Sequence, residues 1–410
     1  MSIRFALCLT ALLPALSCTR PATFDAIAEG YVRATLKLAQ HDPSLVEDWR
    51  GPESWRPGPR QPVAQLLEEI SGIERQLAIA RSDLASGQEY ARGQYLAGQL
   101  RALRFAADRQ LGRAASIDEQ ARDEFAVTLP PLDQAAMARA HDALNRLLPG
   151  AQPLAARLDT LRRDTVVTPA QRGLVVGKAL DACRQATAAV IGLPQDERVR
   201  GAFRSGMPWD GFARYAGGHV TDLDINDDAA LDVSRAFRIA CHEGYPGHHV
   251  QHLLIDRIFE ERRWPELQLV PGFGPHLLWL EGAAEVGADL AFTTAERERL
   301  YREVLFPAAE LTADRVAVLV QVEGLLMELL PVVTDIARQY LDGRITQERA
   351  LDRLANDALV ANPPGTLAFI ERRRARALVY GEGRRLVYGW LETRDLAGLH
   401  AAFQRAAALQ

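Results

Sequence analysis

The chain has 410 residues, 48% of them hydrophobic and 25% charged, an ordinary balance for a globular protein of one large or two to three smaller domains. Its formal net charge of −5 argues against nucleic acid as a partner. Only Lys37 and Lys178 are lysines, so nearly every basic residue is arginine, which reads as genome composition rather than function.

Residues 1–17 read as an export signal. Arg4 gives a minimal basic start, and Phe5 to Leu16 is apolar but too short to span a bilayer as a mature helix. Ala15-Leu16-Ser17-Cys18 follows as an imperfect lipobox. Lipidation at Cys18 is expected, with plain signal cleavage nearby as the alternative. Thr19 suits sorting to the outer membrane of a Gram-negative cell. The expected address is therefore the periplasmic face of that membrane, or the periplasm, with membrane contact only through the N-terminal anchor. No other apolar run of membrane-spanning length is evident. Cys8 leaves with the signal, and the remaining pair, Cys183 and Cys241, is too few for a disulfide framework. Cys241 is expected to pack in the core, with thiolate ligation as the alternative.

Amphipathic spacing predicts a helix from Thr23 to about Val46, then a connector over 48–62. Leu66, Leu67, Ile70, Ile73 and Leu77 carry the first of two helices within 63–112. Ser116 and Glu119 form a capping box that opens a short helix. Beyond Pro130-Pro131, helices are expected at 133–148, 152–163 and 168–191. Residues 193–230 are rich in glycine and turn formers, but His219 to Asn226 alternates polar and apolar as a strand does. Such a strand could pair with an extended peptide by β-augmentation, a solvated hairpin being the plainer reading. A helix should begin near 228–232, break after Glu243 and resume from His248 to about Arg263. A loop over 264–275 and a helix over 276–292 follow. The remaining helices are predicted at 297–342 with breaks near Pro307 and Pro331, then 346–360, 365–391 and 395–408. Arg372-Arg373-Arg374 reads as a solvated helix face. The fold expected is mainly α, a large multi-helix metallopeptidase-like fold with a small β element beside a metal site. Residues 18–200 form an N-terminal helical region and 201–410 a catalytic one, continuous with it.

The chemistry concentrates in Cys241-His242-Glu243-Gly244-Tyr245-Pro246-Gly247-His248-His249-Val250-Gln251-His252, which holds four of the nine histidines. Zinc takes neutral imidazole and carboxylate oxygen, and a glutamate beside the first histidine is placed to act as general base toward water at the metal. The spacing is not H-E-x-x-H. On a straight helix six residues carry a side chain about 600° round and roughly 9 Å along, which is unsuitable for two ligands of one ion. Gly244-Tyr245-Pro246-Gly247 must therefore break or bulge the helix and return a second histidine to the metal. His248 is preferred as that ligand, with His249 as a supporting residue or substrate contact; the reverse assignment stays open. Glu281 and Glu285 share one face of a later helix. Glu281 is chosen as third ligand and Glu285 as the carboxylate orienting a histidine, although their roles could also be exchanged. Gly282, Ala283, Ala284, Gly287 and Ala288 would let this helix pack closely against the metal helix.

HEGYPGHHVQ followed by an E-G-x-A stretch resembles the bacterial domain-of-unknown-function family 885, lipoproteins regarded as zinc metallopeptidases. SIDEQARDEF, ALDACRQAT, GLPQDE, Pro208-Trp209 with Tyr215, Gly217 and Gly218, and ALVYGEG resemble family segments in the same order. Ala283 and Glu285 stand where the family usually has tryptophan and leucine, and the chain is shorter than typical members. The resemblance implies an edge strand beside the site and a role for Tyr380, whose hydroxyl would stabilise an oxyanion. The expected function is zinc-dependent (Zn2+) hydrolysis of peptide substrates with Glu243 and Tyr380 as catalytic residues. The alternative is a non-catalytic exported lipoprotein with a degenerate site. A di-metal bundle would want paired Glu-x-x-His motifs, and a zinc deaminase a P-C-x-x-C; neither follows here.

Overall fold

A computed structural model describes residues 22–407 apart from 83 and 208, so the signal segment and Cys18 lie outside the described residues. The fold is mainly α with two small sheets. Helix α1 (Phe24–Leu38) is capped by Thr23, whose hydroxyl accepts from the Ala26 N–H. Strand β1 (Val46–Trp49) lies at the start of the predicted connector, before α2 (Val63–Arg81) and α3 (Gln88–Gln110). The Ser116–Glu119 capping box opens α4 (Ile117–Phe125). Helices α5 (Gln134–Leu147), α6 (Leu154–Asp164) and α7 (Arg172–Ala188) lead to β2 (Arg198–Arg204), β3 (Gly211–Gly217) and β4 (Val220–Asn226). Asp232 caps α8 (Val233–Ile239), which runs into a π turn at Ala240–Gly244 and, past Tyr245-Pro246-Gly247, into α9 (His248–Arg262). Strand β5 (Leu269–Pro271) forms within the predicted loop and pairs antiparallel with β1. Helices α10 (Gly274–Ala291), α11 (Thr294–Leu300), α12 (Phe306–Ala308), α13 (Val316–Glu328), α14 (Leu330–Leu341), α15 (Gln347–Asn356), α16 (Pro363–Arg373), α17 (Val379–Trp390) and α18 (Leu396–Ala407) complete the chain.

Two apolar clusters form the interior. The smaller gathers residues between Ile27 and Ala107 with Leu269 and Phe273; the larger runs from Ile117 to Phe403 and carries the elements around the histidines. Buried Arg92 ties the two regions together. It grips Glu266 through both carboxylate oxygens at 2.5 and 2.9 Å and reaches Asp25 at 2.7 Å.

Four expectations are corrected. Cys183 of α7 and Cys241 are joined by a disulfide, so both are core residues but neither is a free thiol. Strand β4 sits in the middle of its sheet, parallel to β2 and antiparallel to β3, and so has no free edge for a peptide. The single helix predicted over 365–391 is two, because Arg374 turns to φ 52° and a 3-10 segment, Arg374–Leu378, intervenes. Finally, Ala313–Leu341 is long and apolar enough to cross a membrane by length and composition, with a mean hydropathy of 2.0 over its best 18 residues. Glu323 in that stretch is buried and accepts from the Tyr301 hydroxyl at 3.0 Å, an arrangement suited to a packed core helix.

Candidate metal centre

Helix α8 does not simply stop. The π turn widens it by one residue per turn at Ala240–Gly244, a distortion common where side chains must be re-aimed. The chain then doubles back so tightly that the Gly247 N–H bonds to the Cys241 carbonyl at 3.1 Å. A Cβ on Gly247 would lie 1.8 Å from the His242 carbonyl oxygen, so only glycine fits there. The result brings His248, first residue of α9, beside His242, with ring centroids 4.8 Å apart and edge to face.

Helix α10 supplies the carboxylates. His242 Nε2 lies 3.3 Å from Glu281 Oε2, and His248 Nε2 lies 3.6 Å from Glu281 Oε1. One ligand atom from each of His242, His248 and Glu281 falls within 4.8 Å of the others. Zinc at about 2.0–2.1 Å from tetrahedral ligands sets them about 3.3 Å apart, so these separations suit an ion between them. Glu281 Oε2 is buried and makes no hydrogen bond, an orphaned acceptor of the kind a cation satisfies.

The far side of each imidazole is also held. His242 Nδ1 faces Glu285 Oε1 at 3.3 Å, and Glu285 in turn accepts from Arg238 at 2.7 Å. His248 Nδ1 meets Gln251 Oε1 at 3.0 Å, and the Gln251 amide donates to the Leu280 carbonyl at 2.9 Å. Each ring thus has an oxygen at Nδ1 and turns Nε2 to the shared point, as ligating histidines do. Burial opposes charge on His242, yet Glu281 and Glu285 hold it well above its ordinary range. His248 is likewise raised, against burial, by Glu281. Glu281 is buried too, but the two imidazoles draw its carboxyl well below the usual carboxylate range. The carboxylate and each imidazole thus favour each other's charged form.

His249 points the other way. It is fully buried, with Nδ1 at 2.7 Å from the Thr221 hydroxyl and Nε2 at 2.9 Å from Glu197. Neither nitrogen is left to ligate. His276, near the start of α10, packs edge-on against Tyr95. Asp289 is taken up by Arg384 at 2.6 Å and Arg297 at 2.7 Å. The small residues of α10 serve a different neighbour from the one expected. Gly282 crosses Gly383 of α17 so closely that a Cβ would lie 2.2 Å from its carbonyl carbon, while Gly287 abuts Pro246. That crossing carries Tyr380 in, its ring 6.2 Å from that of His242. Glu281 above all, and then burial, raises the Tyr380 hydroxyl well above the usual range, so it stays a proton donor.

Glu243 is buried, and burial raises its carboxyl, with His242 and His248 opposing. The Ala213 N–H of β3 lies close enough to lower it slightly, and Gly211 leaves it room, since a Cβ there would lie 3.1 Å from Glu243 Cγ. β3 is an edge strand of its sheet, and Gly211 to Tyr215 line a cleft of about 1710 Å³ into which His242, Glu243, His248, Glu281 and Tyr380 also open. Sequence reasoning missed Gln251, Arg238, Glu197 and Thr221. Gln251 at i+3 from His248 and Arg238 at i−4 from His242 were findable by helical spacing; Glu197 and Thr221 come from elsewhere in the chain and were not.

No known protein family and no curated protein matches the chain by sequence. Among solved structures it is similar to a candidate lipoprotein from Colwellia psychrerythraea, with a TM-score of 0.51 and 16% identity over 94% of this chain and 74% of that one. A candidate lipoprotein of unknown function from Shewanella oneidensis scores 0.43 with 12% identity, covering 80% of this chain and 66% of that one. The first likeness shows a shared fold.

Proposed function

We propose that the protein is an exported zinc-dependent hydrolase, a metallopeptidase in which His242, His248 and Glu281 hold Zn2+. The observation that carries this reading is the buried Glu281 oxygen, without a hydrogen bond, beside two imidazoles whose other nitrogens are already fixed. Bound there, zinc would supply Lewis acidity toward a carbonyl and a water. The remaining work falls to the chain. Glu243 would take the proton of the attacking water on its carboxylate and deliver it to the departing amine nitrogen; its raised pKa suits that shuttle. Tyr380 would donate a hydrogen bond to the oxyanion formed on attack. The free edge of β3 would align an extended peptide, since β3 lines the same cleft as Glu243. Export, with lipidation at Cys18, is part of the same reading, supported by the signal-like N-terminus and by a fold shared with a candidate lipoprotein.

The test is Glu243→Gln. Zinc content, measured by atomic emission, should remain at one per chain while cleavage of a mixed peptide library falls at least about 100-fold. Hydrolysis that persists in the zinc-loaded variant would overturn the reading. A wild-type protein that binds zinc but cuts nothing in the library would favour a lipoprotein with a degenerate site.

A further inference from the structure

The arginine run read from sequence as a solvated helix face is a wall of the cleft. Helix α16 ends at Arg373, and Arg374 takes φ 52° and ψ −127°, a left-handed conformation that a residue with a Cβ rarely adopts. Arg373 at the end of α16, Arg374 and Arg376 beyond it, and Arg109 from the last turn of α3 all line the cleft. Arg376 is satisfied by Glu124 and the Ser44 hydroxyl, each at 2.7 Å. Arg374 reaches only the neutral Gln120 side chain, at 3.4 Å. Among the described residues, the guanidinium groups of Arg109 and Arg373 make no hydrogen bond or ion pair, although both residues are half-buried. Burial first, and then Arg374, push the Arg109 guanidinium down, with Glu124 only partly offsetting them.

This wall lies near the metal centre. Phe369 on α16 has its ring 6.1 Å from that of Tyr380, which stands beside His242. Arg373 is four residues past Phe369, one turn along the same face, about 6 Å. Glu47 of β1 also lines the cleft and feels both Glu281 and His248 of the centre and Arg373 and Arg376 of the wall. A few residues of extended chain at about 3.3 Å each would bridge the two ends.

Half-buried guanidinium groups with no carboxylate hydrogen-bonded to them call for an anion, and a planar fork matches a carboxylate. We infer that the cleft selects peptides carrying a carboxylate, either a free C-terminus or an acidic side chain, and that Arg109 and Arg373 receive it. The inference deepens the hydrolase reading and rests on it for the word peptide.

The experiment uses zinc-loaded protein and two matched pairs of fluorogenic hexapeptides. One pair differs only in a free or amidated C-terminus, the other only in an internal Glu or Gln. The charged member of one pair should be cut with kcat/KM at least about tenfold higher, chiefly through KM, and the pair that responds identifies the source of the carboxylate. In the Arg109→Gln, Arg373→Gln double variant that ratio should fall toward one. The same peptides are titrated by fluorescence anisotropy against zinc-loaded Glu243→Gln protein, where the charged member should bind about tenfold tighter. Equal handling of charged and neutral members by the wild type, or a preference that survives the double variant, overturns the inference while leaving hydrolysis standing. If nothing is cut, the hydrolase reading fails, and the anisotropy ratio alone still decides the carboxylate site.

Discussion

Gly247→Ala is the sharpest test of how the centre is built. The added methyl would sit 1.8 Å from the His242 carbonyl oxygen and 2.6 Å from that of Cys241. Both are backbone atoms of a buried turn, so no flexible side chain can yield. Overpacking costs about 1–3 kcal/mol where neighbours adjust, and here the expected cost is at or above the top of that range, about 3–4 kcal/mol. Unfolding entropy of about 2.1 cal/mol/K per residue makes about 0.8 kcal/mol/K for a chain this long, so Tm should fall by about 4–5 °C. The chain can admit the methyl only by parting His242 from His248. Zinc affinity, measured by competition with a chromophoric chelator, should therefore drop at least about 100-fold. Gly177→Ala is the control. It lies inside α7 with nothing within 4 Å of the added carbon, and should leave zinc affinity alone and raise Tm by about 1 °C. A Gly247→Ala protein that melts and binds zinc as the wild type does would refute the reasoning.

The Cys183–Cys241 bond spans 58 residues, and by loop entropy its removal in Cys183→Ser, Cys241→Ser should cost about 4 kcal/mol, read as a lower urea midpoint; an unchanged midpoint would argue against the bond. Glu197 is buried, yet hydrogen bonds from His249, Tyr245 and Arg184 hold its carboxyl at about 2. A folded value below the unfolded one means stability that is present above about pH 4.5 and lost as pH falls toward 2. Urea unfolding from pH 6 to pH 3 should accordingly show a steeper decline in the wild type than in Glu197→Gln, and parallel curves would contradict the assignment. Zinc needs neutral imidazoles, whereas in the metal-free protein, against the effect of burial, Glu281 and Glu285 raise His242 and Glu281 and Glu243 raise His248. Binding should therefore release protons and weaken as pH falls; calorimetric heats that do not change between phosphate and Tris buffers would refute this.

What the sequence made legible was whatever depends on neighbours along the chain. The capping box at Ser116, the cap at Asp232 and the break at Gly244-Tyr245-Pro246-Gly247 are local signals, and each appears as a local structure. The carboxylates at i and i+4 on α10 were placed on one face by helical arithmetic alone, and Glu281 and Glu285 do both reach His242. The choice between His248 and His249 could not be made that way. Consecutive residues on a helix diverge by about 100°, so one of them had to face the cleft and the other the interior. Which is which is decided by Thr221 on β4 and Glu197 before β2, residues whose position depends on a sheet that the glycine-rich stretch concealed. The disulfide was hidden for a similar reason. Nothing near Cys183 or Cys241 in sequence says that α7 lies beside the π turn.

That placement has a mechanical consequence. In H-E-x-x-H one unbroken helix holds both histidines, and intrahelical hydrogen bonds keep them in register. Here the two ligands sit on either side of a break, so their relation must be fixed from outside the helix. Three restraints meet there: the bond from Cys241 to α7, the closure of Gly247 onto the His242 carbonyl, and the Gln251 amide anchored on the Leu280 carbonyl of α10. The second closes the broken segment on itself, while the first ties it to α7 and the last to the helix that carries Glu281 itself. A backbone interruption that would ordinarily loosen a centre is in this way converted into one whose geometry is set by α7 and α10, and room is made beside it for the edge of β3 to meet Glu243.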